Sequence, residues 1–278
     1  MKSSAKAFAP GNISLIFGVV PGTDPQSTGS VGVGCTVSDG ATVTVSLSNT
    51  PQITYNEDRI ELPTVDAAIK QLTPKPLSVS ISSPLPLGSG FGMSGASALA
   101  TAYAVNTLLH LKKTPLALAK IAHTADVVSK TGLGDVANQY YGGFFVKFVT
   151  SSQFIVQKLP VTDTMLYCIS HGKLLTSSIL SNTAMIKTIN AEAAIALAEI
   201  KTLLESKKAL SFGQIAAIAN EFTKKTGLLT DKLASDIQAL EKKGGHAAMI
   251  LLGNALASDI PFDGAIKLRI GTRKATLL

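Results

Sequence analysis

The stretch "PLPLGSGFGMSGASALA", residues 84–100, crowds four glycines and two serines into positions 88–95 and then becomes an alanine-rich apolar run. The segment from Ser94 to Leu111 is long enough for a buried helix. A glycine-rich turn that leads into a helix N-terminus presents several backbone N–H groups in one direction, and the helix dipole adds partial positive charge there. The stretch therefore predicts an anion site at the start of a helix.

Two better-known phosphate motifs do not describe this loop. No Gly-Lys-Ser/Thr follows the glycines, so the loop is not a Walker A motif. A G-x-G-x-G run is present in "GSGFGMSG" (88–95), but no acidic residue stands about 20 positions further on to bind a ribose. Taken alone, the loop is equally compatible with a flexible turn that caps a helix.

The N-terminal residues carry strand patterns. Residues 5–19 predict a strand, a turn at Pro10-Gly11 and a second apolar run. Residues 31–47 alternate strongly around Asp39-Gly40, a dipeptide typical of hairpin turns between β-branched strands. We therefore expect a strand-rich region before the glycine loop.

The character of the sequence changes at about residue 160, after which helical patterns dominate. We expect an α+β fold with an N-terminal domain over 1–160 and a C-terminal domain over 161–278. The other predicted elements are a strand over 78–83, a helix opened by Thr114-Pro115, strands over 142–149 and 164–170, helices over 190–206, 211–226 and 230–243, and a strand over 264–270.

Two aspartates are candidates for chemistry. Asp135 lies in "KTGLGDVANQYYGG" (130–143), where a carboxylate on a glycine turn can point into a cleft and accept a proton from a hydroxyl group. The alternative is that Asp135 caps a helix starting at Val136. Asp126 could face a magnesium ion, which takes few protein carboxylates, or it could be a solvent-facing helix residue. His123, on the same predicted helix, is more typical of a hydrogen-bonded structural residue.

Composition excludes several classes of protein. Hydrophobic residues make up 46% of the 278 positions and charged residues 15%, which argues against disorder. The formal charge is +7, but only three basic residues are arginine and tryptophan is absent, which is unlike a nucleic-acid reader. No apolar run is long enough for a membrane span, and the N-terminus is not a secretory signal, so we expect a cytoplasmic protein without membrane or nucleic-acid partners. Cys35 and Cys168 are expected to be buried and unpaired.

In combination, the motifs resemble the GHMP kinase superfamily, whose phosphate loop reads Pro-x-x-x-Gly-Leu-Gly-Ser-Ser-Ala. Gly90 to Ala96 matches the core of that loop, with Phe91, Met93 and Gly95 as departures. The segments "GFGMSGASAL", "DPQSTGSVGVG", "AHTADVVSKTGLGDVANQYYGG" and "GGHAAMILLGN" are similar to the archaeal pantoate kinase branch. The resemblance implies the GHMP kinase fold, with an N-terminal domain like ribosomal protein S5 domain 2 and a ferredoxin-like C-terminal domain. It also implies ATP-dependent phosphorylation of (R)-pantoate.

The resemblance also implies roles for individual residues. Asp135 would orient or deprotonate the primary hydroxyl of the substrate. Ser94 and Asp126, which stands where the branch usually has Glu, would face Mg²⁺. Asn12, Ser27, Ser30 and Lys130 are candidates for contact with pantoate. The residues expected to cradle the triphosphate of ATP are Pro86, Gly88, Ser89, Gly90, Gly92, Ser94 and Gly95.

Other functions remain open at this point. Another kinase of the same superfamily would act on mevalonate or homoserine. A degenerate relative would bind the ligand without catalysis, but it would be expected to lack the aspartate or the loop glycines. A basic RNA-binding module has little support from the arginine content. A homodimer is a possible assembly for the enzyme.

Overall fold

The computed structural model describes residues 3–161, 165–172, 179–271 and 273–278. Its N-terminal region is built on two long strands, β1 (Ser4–Val20) and β2 (Gly29–Leu47), which pair antiparallel along their length. The predicted turn at Pro10-Gly11 is wrong, because the chain continues through a bulge there. The predicted hairpin at Asp39-Gly40 is also wrong, because Gly40 pairs with Pro10 inside the ladder. A side chain at Gly40 would collide with the backbone of β1, so this glycine allows the two strands to approach.

Further strands extend this sheet on both sides of the long pair. The order of its main path is β12-β1-β2-β5-β3-β4, while β6 pairs with the first half of β2 and β7 pairs with β6. The prediction of a strand over 78–83 is confirmed. The bounds are β3 (Gln52–Tyr55), β4 (Asp58–Arg59), β5 (Leu77–Ser82), β6 (Phe144–Lys147), β7 (Gln157–Lys158) and β12 (Thr276–Leu277).

Four helices accompany the sheet: α1 (Pro63–Leu72), α2 (Met93–Leu108), α3 (Pro115–Val128) and α4 (Asp135–Tyr141). Helix α2 packs against β1, β2, α1 and α3, and all of its alanines are buried, so the helix is covered on almost every face. Thr114 caps α3 as predicted, since its hydroxyl accepts the N–H of Ala117. The buried α2 fixes the glycine loop at one end of the sheet.

The later part of the chain forms a second sheet of β8 (Met165–Ser170), β9 (Ala247–Ile250), β10 (Ala255–Ser258) and β11 (Ile266–Arg269). Its order is β11-β8-β10-β9 with all neighbours antiparallel, as in a ferredoxin-like sheet. The helices of this part are α5 (Thr183–Glu205), α6 (Phe212–Thr226) and α7 (Asp231–Glu241).

The α+β prediction is confirmed. Helix α5 begins earlier than predicted, because Asn182 caps it by accepting the N–H of Met185. Thr164, the first residue of the predicted strand 164–170, lies outside the described residues. The division into domains at residue 160 stays a prediction, although β12 returns to pair with β1. In the described part of the chain, no helix has the length and apolar character that a membrane crossing needs.

Candidate active site

The glycine loop and the N-terminus of α2 form one wall of the site. Gly92 precedes the helix in the left-handed conformation, with φ of 60°, and no side chain caps the first N–H groups of the helix. Gly90 also has a positive φ of 87°. A Cβ added at Gly92 would lie 3.2 Å from the carboxyl carbon of Asp135. Because Gly92 has no side chain, the free N–H groups at the start of α2 lie close to the carboxylate of Asp135. The N–H groups are suited to bind an anion, and the carboxylate is suited to contact the group that reacts with it.

Three contacts hold this loop in place. The side chain of Phe91 is 1% exposed and belongs to the hydrophobic core. The carbonyl of Phe91 accepts the N–H of Asn12 at 2.9 Å, and the carbonyl of Gly92 accepts Nε2 of Gln139 at 2.8 Å. Phe91 therefore anchors the loop in the core, so the backbone N–H groups of the loop are held in a fixed arrangement.

Asp135 is the first residue of α4, and its carboxylate is held from β1. Its Oδ1 accepts Nδ2 of Asn12 at 2.6 Å and Oγ of Ser14 at 3.0 Å. Gly134 is the N-cap of α4 and no side chain caps this helix, so Asp135 is not a capping residue. Burial raises the pKa of Asp135, whereas Lys147 and the two hydrogen-bond donors oppose that effect. The described residues give Oδ2 no hydrogen-bond partner.

A buried chain of polar groups connects Asp135 with a lysine. Lys147 is 3% exposed, and its Nζ donates to Oδ1 of Asn138 at 3.1 Å and to the carbonyl of Gly134 at 3.4 Å. Asn138 in turn donates to Oδ1 of Asn12 at 2.9 Å. Burial lowers the pKa of Lys147 to about 8, against the opposing effect of Asp135. This lysine places positive charge beside the carboxylate in a region from which water is excluded.

Asp126 is the second buried carboxylate. It is 1% exposed, its Oδ1 accepts Oγ1 of Thr131 at 2.6 Å, and its Oδ2 lies against Gly132, where a Cβ would not fit. Burial and the nearby charge of Asp135 raise the pKa of Asp126 to about 7. The prediction left open a solvent-facing Asp126, and that alternative is wrong. Two buried carboxylates whose charges act on one another favour a proton or a cation beside them.

The loop and both carboxylates border one cavity of about 60 Å³. Its other side is closed by the turn between β9 and β10, whose Leu251 donates its N–H to the carbonyl of Ser14 at 2.9 Å. The cavity is lined by Ser14, Gly88, Gly90, Gly92, Met93, Ser94, Gly95, Asp126, Thr131, Asp135, Leu251 and Leu252.

The donor set of this cavity fits Mg²⁺. Carboxylate and hydroxyl oxygens are hard ligands, and Mg²⁺ is usually held by one or two carboxylates together with phosphate oxygens and water. The described residues contain no cluster of three or more His, Cys, Asp or Glu side chains that would enclose a metal on their own. The residues present therefore suit a cation that arrives with a phosphate ligand.

The structure brings most of the predicted site residues together. Gly88, Gly90, Gly92, Ser94 and Gly95 line the cavity with the two aspartates. Pro86 and Ser89 are not among the residues that line it; Pro86 is exposed and Ser89 is buried.

The four residues predicted to contact the substrate are spread more widely. Asn12 is fully buried and uses its side-chain amide on Asp135, Ser14 and Asn138. Ser30 is buried, with its hydroxyl against Gly134. None of the four lines the cavity: Lys130 is exposed, and Ser27 borders a separate cavity of about 590 Å³ beside α3.

Sequence reasoning missed several residues of the site. Lys147 is a lone charge in the apolar run "GGFFVKFV" (142–149), and a charge inside a buried strand is a signal that was available. Ser14 follows Asn12 by two positions on a strand, so the two share one face. Thr64, whose Oγ1 lies 2.7 Å from Oγ of Ser94 and 2.8 Å from Oγ1 of Thr131, carries no such signal, because these contacts join segments that are distant in the sequence.

Comparison with known proteins gives consistent matches. Residues 62–143 match the family model described as the GHMP kinases N terminal domain. The chain is 34% identical over 256 residues to the pantoate kinase of Methanocaldococcus jannaschii, which covers 90% of each chain. It is 31% identical over 257 residues to the pantoate kinase of Methanospirillum hungatei, covering 89% of this chain and 84% of the relative. A solved structure titled "Phosphotransferase related to CoA biosynthesis pathway" is similar with a TM-score of 0.84 and 26% identity, covering 99% of this chain and 98% of the other.

Proposed function

Because the chain belongs to the pantoate kinase family of the GHMP kinases, we propose that it phosphorylates (R)-pantoate to 4-phosphopantoate with ATP, a step of coenzyme A biosynthesis. The observation that carries this proposal is the single cavity in which a glycine loop at a helix N-terminus faces two buried carboxylates. In the reaction, the C4 oxygen of pantoate bonds to the γ-phosphorus, the bond from that phosphorus to ADP breaks, and the hydroxyl proton moves to a base.

The glycine loop would hold the triphosphate. Its backbone N–H groups and the start of α2 offer positive charge without a lysine. Gly88, Gly90, Gly92, Ser94 and Gly95 border the cavity directly, while Pro86 and Ser89 belong to the same stretch of chain without lining the cavity. Because Phe91 and Gln139 fix the loop, little reorganisation is needed when charge moves onto the leaving phosphate.

Asp135 would receive the proton of the C4 hydroxyl. Its Oδ1 is occupied by Asn12 and Ser14, which leaves Oδ2 to accept a hydrogen bond from the substrate. Asn12 therefore acts through Asp135 as a positioning residue, in place of the direct substrate contact that its sequence position suggested. The buried charge of Lys147 favours the ionised form of Asp135 and an anionic substrate nearby.

Ser94 and Asp126 would hold Mg²⁺ through one hydroxyl and one carboxylate oxygen. When bound, the ion neutralises phosphate charge and supports the in-line arrangement of the reacting groups. Asp126 is buried against Gly132 and held by Thr131, so its carboxylate is fixed before any ligand arrives.

Apolar side chains in the cavity favour pantoate over homoserine. Pantoate carries two methyl groups on the carbon next to its reacting CH₂OH group, so an apolar wall must lie close to the catalytic carboxylate. Met93, Leu251 and Leu252 line the same cavity as Asp135. Leu252 adopts a left-handed φ of 57°, which is uncommon for a residue other than glycine. Homoserine has no such methyl groups and would leave the wall unfilled.

The remaining predictions extend the proposal beyond the cavity. Ser27, Ser30 and Lys130 all lie outside the cavity lining. Of these we propose Ser30, whose hydroxyl lies against Gly134, as a contact for the polar end of pantoate. A homodimer and a cytoplasmic location stay predictions.

A substrate panel tests the proposal. ADP release should be measured with pantoate, pantothenate, homoserine, mevalonate and 2,4-dihydroxybutyrate, the analogue of pantoate that lacks both methyl groups. We expect the highest kcat/KM with pantoate and a clear loss with 2,4-dihydroxybutyrate, because the apolar wall is then unfilled. Activity with homoserine or mevalonate alone would overturn the assignment of substrate and leave the kinase fold intact.

A further inference from the structure

Four oxygen-bearing side chains form a continuous row behind the glycine loop. Oγ of Ser94 lies 2.7 Å from Oγ1 of Thr64, which lies 2.8 Å from Oγ1 of Thr131. Oγ1 of Thr131 donates to Oδ1 of Asp126 at 2.6 Å. The row therefore joins the two residues proposed to hold Mg²⁺ by way of two threonines that sequence reasoning did not identify.

The direction of the hydrogen bonds in this row follows from the number of protons. A hydroxyl group has one proton to donate and two lone pairs to accept with. Thr131 gives its proton to the carboxylate of Asp126, so Thr64 must donate to Thr131. Ser94 must then donate to Thr64. The proton of Ser94 is directed away from the cavity, and its lone pairs are left to face it.

From this geometry we propose that Thr64 and Thr131 are positioning residues that make Ser94 an oxygen ligand for the divalent cation of a bound nucleotide. With its proton committed to Thr64, Ser94 cannot donate to a phosphate oxygen at the same time. This inference rests on the proposed function, because it assumes that the nucleotide binds as its magnesium complex.

The burial of Thr64 protects the hydrogen bonds of this row from competition by water. Thr64 is fully buried in the first turn of α1, so water does not compete for its hydroxyl. Ser94 lies in the first turn of α2, while Thr131 follows the end of α3. Three separate segments therefore meet through these hydroxyls, and packing alone does not require polar atoms at such a place.

The test compares ADP binding with and without the cation. Isothermal titration should be carried out with ADP in MgCl₂ and with ADP in EDTA, for the wild-type protein, Thr64→Val and Thr64→Ser. We expect Thr64→Val to weaken ADP binding about tenfold in MgCl₂, because a hydrogen bond that orients a charged site is lost. Its affinity in EDTA should be unchanged, and Thr64→Ser should behave as the wild type.

The matched control is Thr101→Val. Thr101 is a fully buried threonine of α2 whose hydroxyl has no hydrogen-bond partner among the described residues. In this variant, MgCl₂ should raise the affinity for ADP as much as it does in the wild type. If Thr64→Val does not fold, Thr131→Val and Thr131→Ser carry the same prediction.

Two results overturn the inference. In the first, MgCl₂ raises the ADP affinity of Thr64→Val as much as it raises that of the wild type. In the second, Thr64→Val loses ADP affinity equally in MgCl₂ and in EDTA, which would indicate that Thr64 has a packing role only. A wild-type protein whose ADP affinity does not depend on Mg²⁺ would also overturn the inference, together with the proposed Mg²⁺ contacts of Ser94 and Asp126, whereas phosphorylation of pantoate is tested separately by the substrate panel.

Discussion

Asp135 combines one restrained carboxylate oxygen with one that is free to receive a proton. Asp135→Asn keeps the size of the side chain and removes the base. We expect turnover to fall by about tenfold to a thousandfold, since general-base catalysis contributes on that order. ADP affinity should survive, because the glycine loop is unchanged. Steady-state kinetics and ADP titration measure the two effects separately.

Asp231→Asn is the matched control for this substitution. Asp231 also begins a helix, α7, but it is exposed and far along the chain from the cavity. It should leave turnover unchanged. Wild-type turnover in Asp135→Asn would show that the carboxylate has no part in the reaction.

The buried carboxyl group of Asp126 destabilises the folded protein by an amount that depends on pH. Its pKa is about 7 in the folded protein against an ordinary value of 3.8, so the folded state keeps a proton that the unfolded state has lost. The free energy of unfolding therefore decreases as pH rises from about 4 to about 7. Asp126→Asn removes this penalty and keeps an acceptor for Thr131. We expect the variant to melt at a higher temperature than the wild type at pH 8.

Thermal denaturation at pH 5 and pH 8, without nucleotide or metal, tests this expectation. The difference in melting temperature between Asp126→Asn and the wild type should be larger at pH 8. The same difference at both pH values would mean that Asp126 is ionised in the folded protein throughout this range.

At the scale of elements, the contact between the glycine loop and the turn after β9 leaves little room for a side chain. A Cβ at Gly90 would lie 2.9 Å from Ile250 and 3.1 Å from the Cα of Gly253, and its φ disfavours any side chain. We expect Gly90→Ala to weaken ADP binding by about tenfold or more, because backbone strain of this kind costs on the order of 1–3 kcal/mol.

Gly227→Ala provides the comparison for Gly90→Ala. Gly227 ends α6 with a φ of 69°, but its surroundings are open. It should lower the melting temperature and leave ADP affinity unchanged. If both variants bind ADP like the wild type, the loop does not hold the phosphates.

The helices were predicted more closely than the long strands, for a physical reason. Thr114-Pro115 begins α3 as expected, because capping is decided by neighbouring residues. Asp39-Gly40 carries the chemistry of a turn, yet Gly40 serves the close approach of β2 to β1. Pairing along the whole length of two long strands overrides such local signals, so β1 and β2 could not be recognised as two continuous strands.

At the scale of the whole molecule, the cavity depends on segments that lie far apart in the sequence. Ser14 of β1, the glycine loop, Asp126 and Leu251 of the turn between β9 and β10 all meet there. The order of the motifs was enough to predict the fold class and the two aspartates. It was not enough to predict Lys147 or Thr64, because their roles arise from burial and from contacts that only the folded chain creates.

The central claim is that this chain transfers phosphate to the primary hydroxyl of pantoate. The most direct test is the proton-coupled phosphorus NMR spectrum of the product formed from ATP and (R)-pantoate. We predict a phosphomonoester signal split into a triplet by the two C4 protons, formed by the wild type and strongly reduced with Asp135→Asn. A doublet, which the single C2 proton would produce, or the absence of any phosphomonoester would contradict the account.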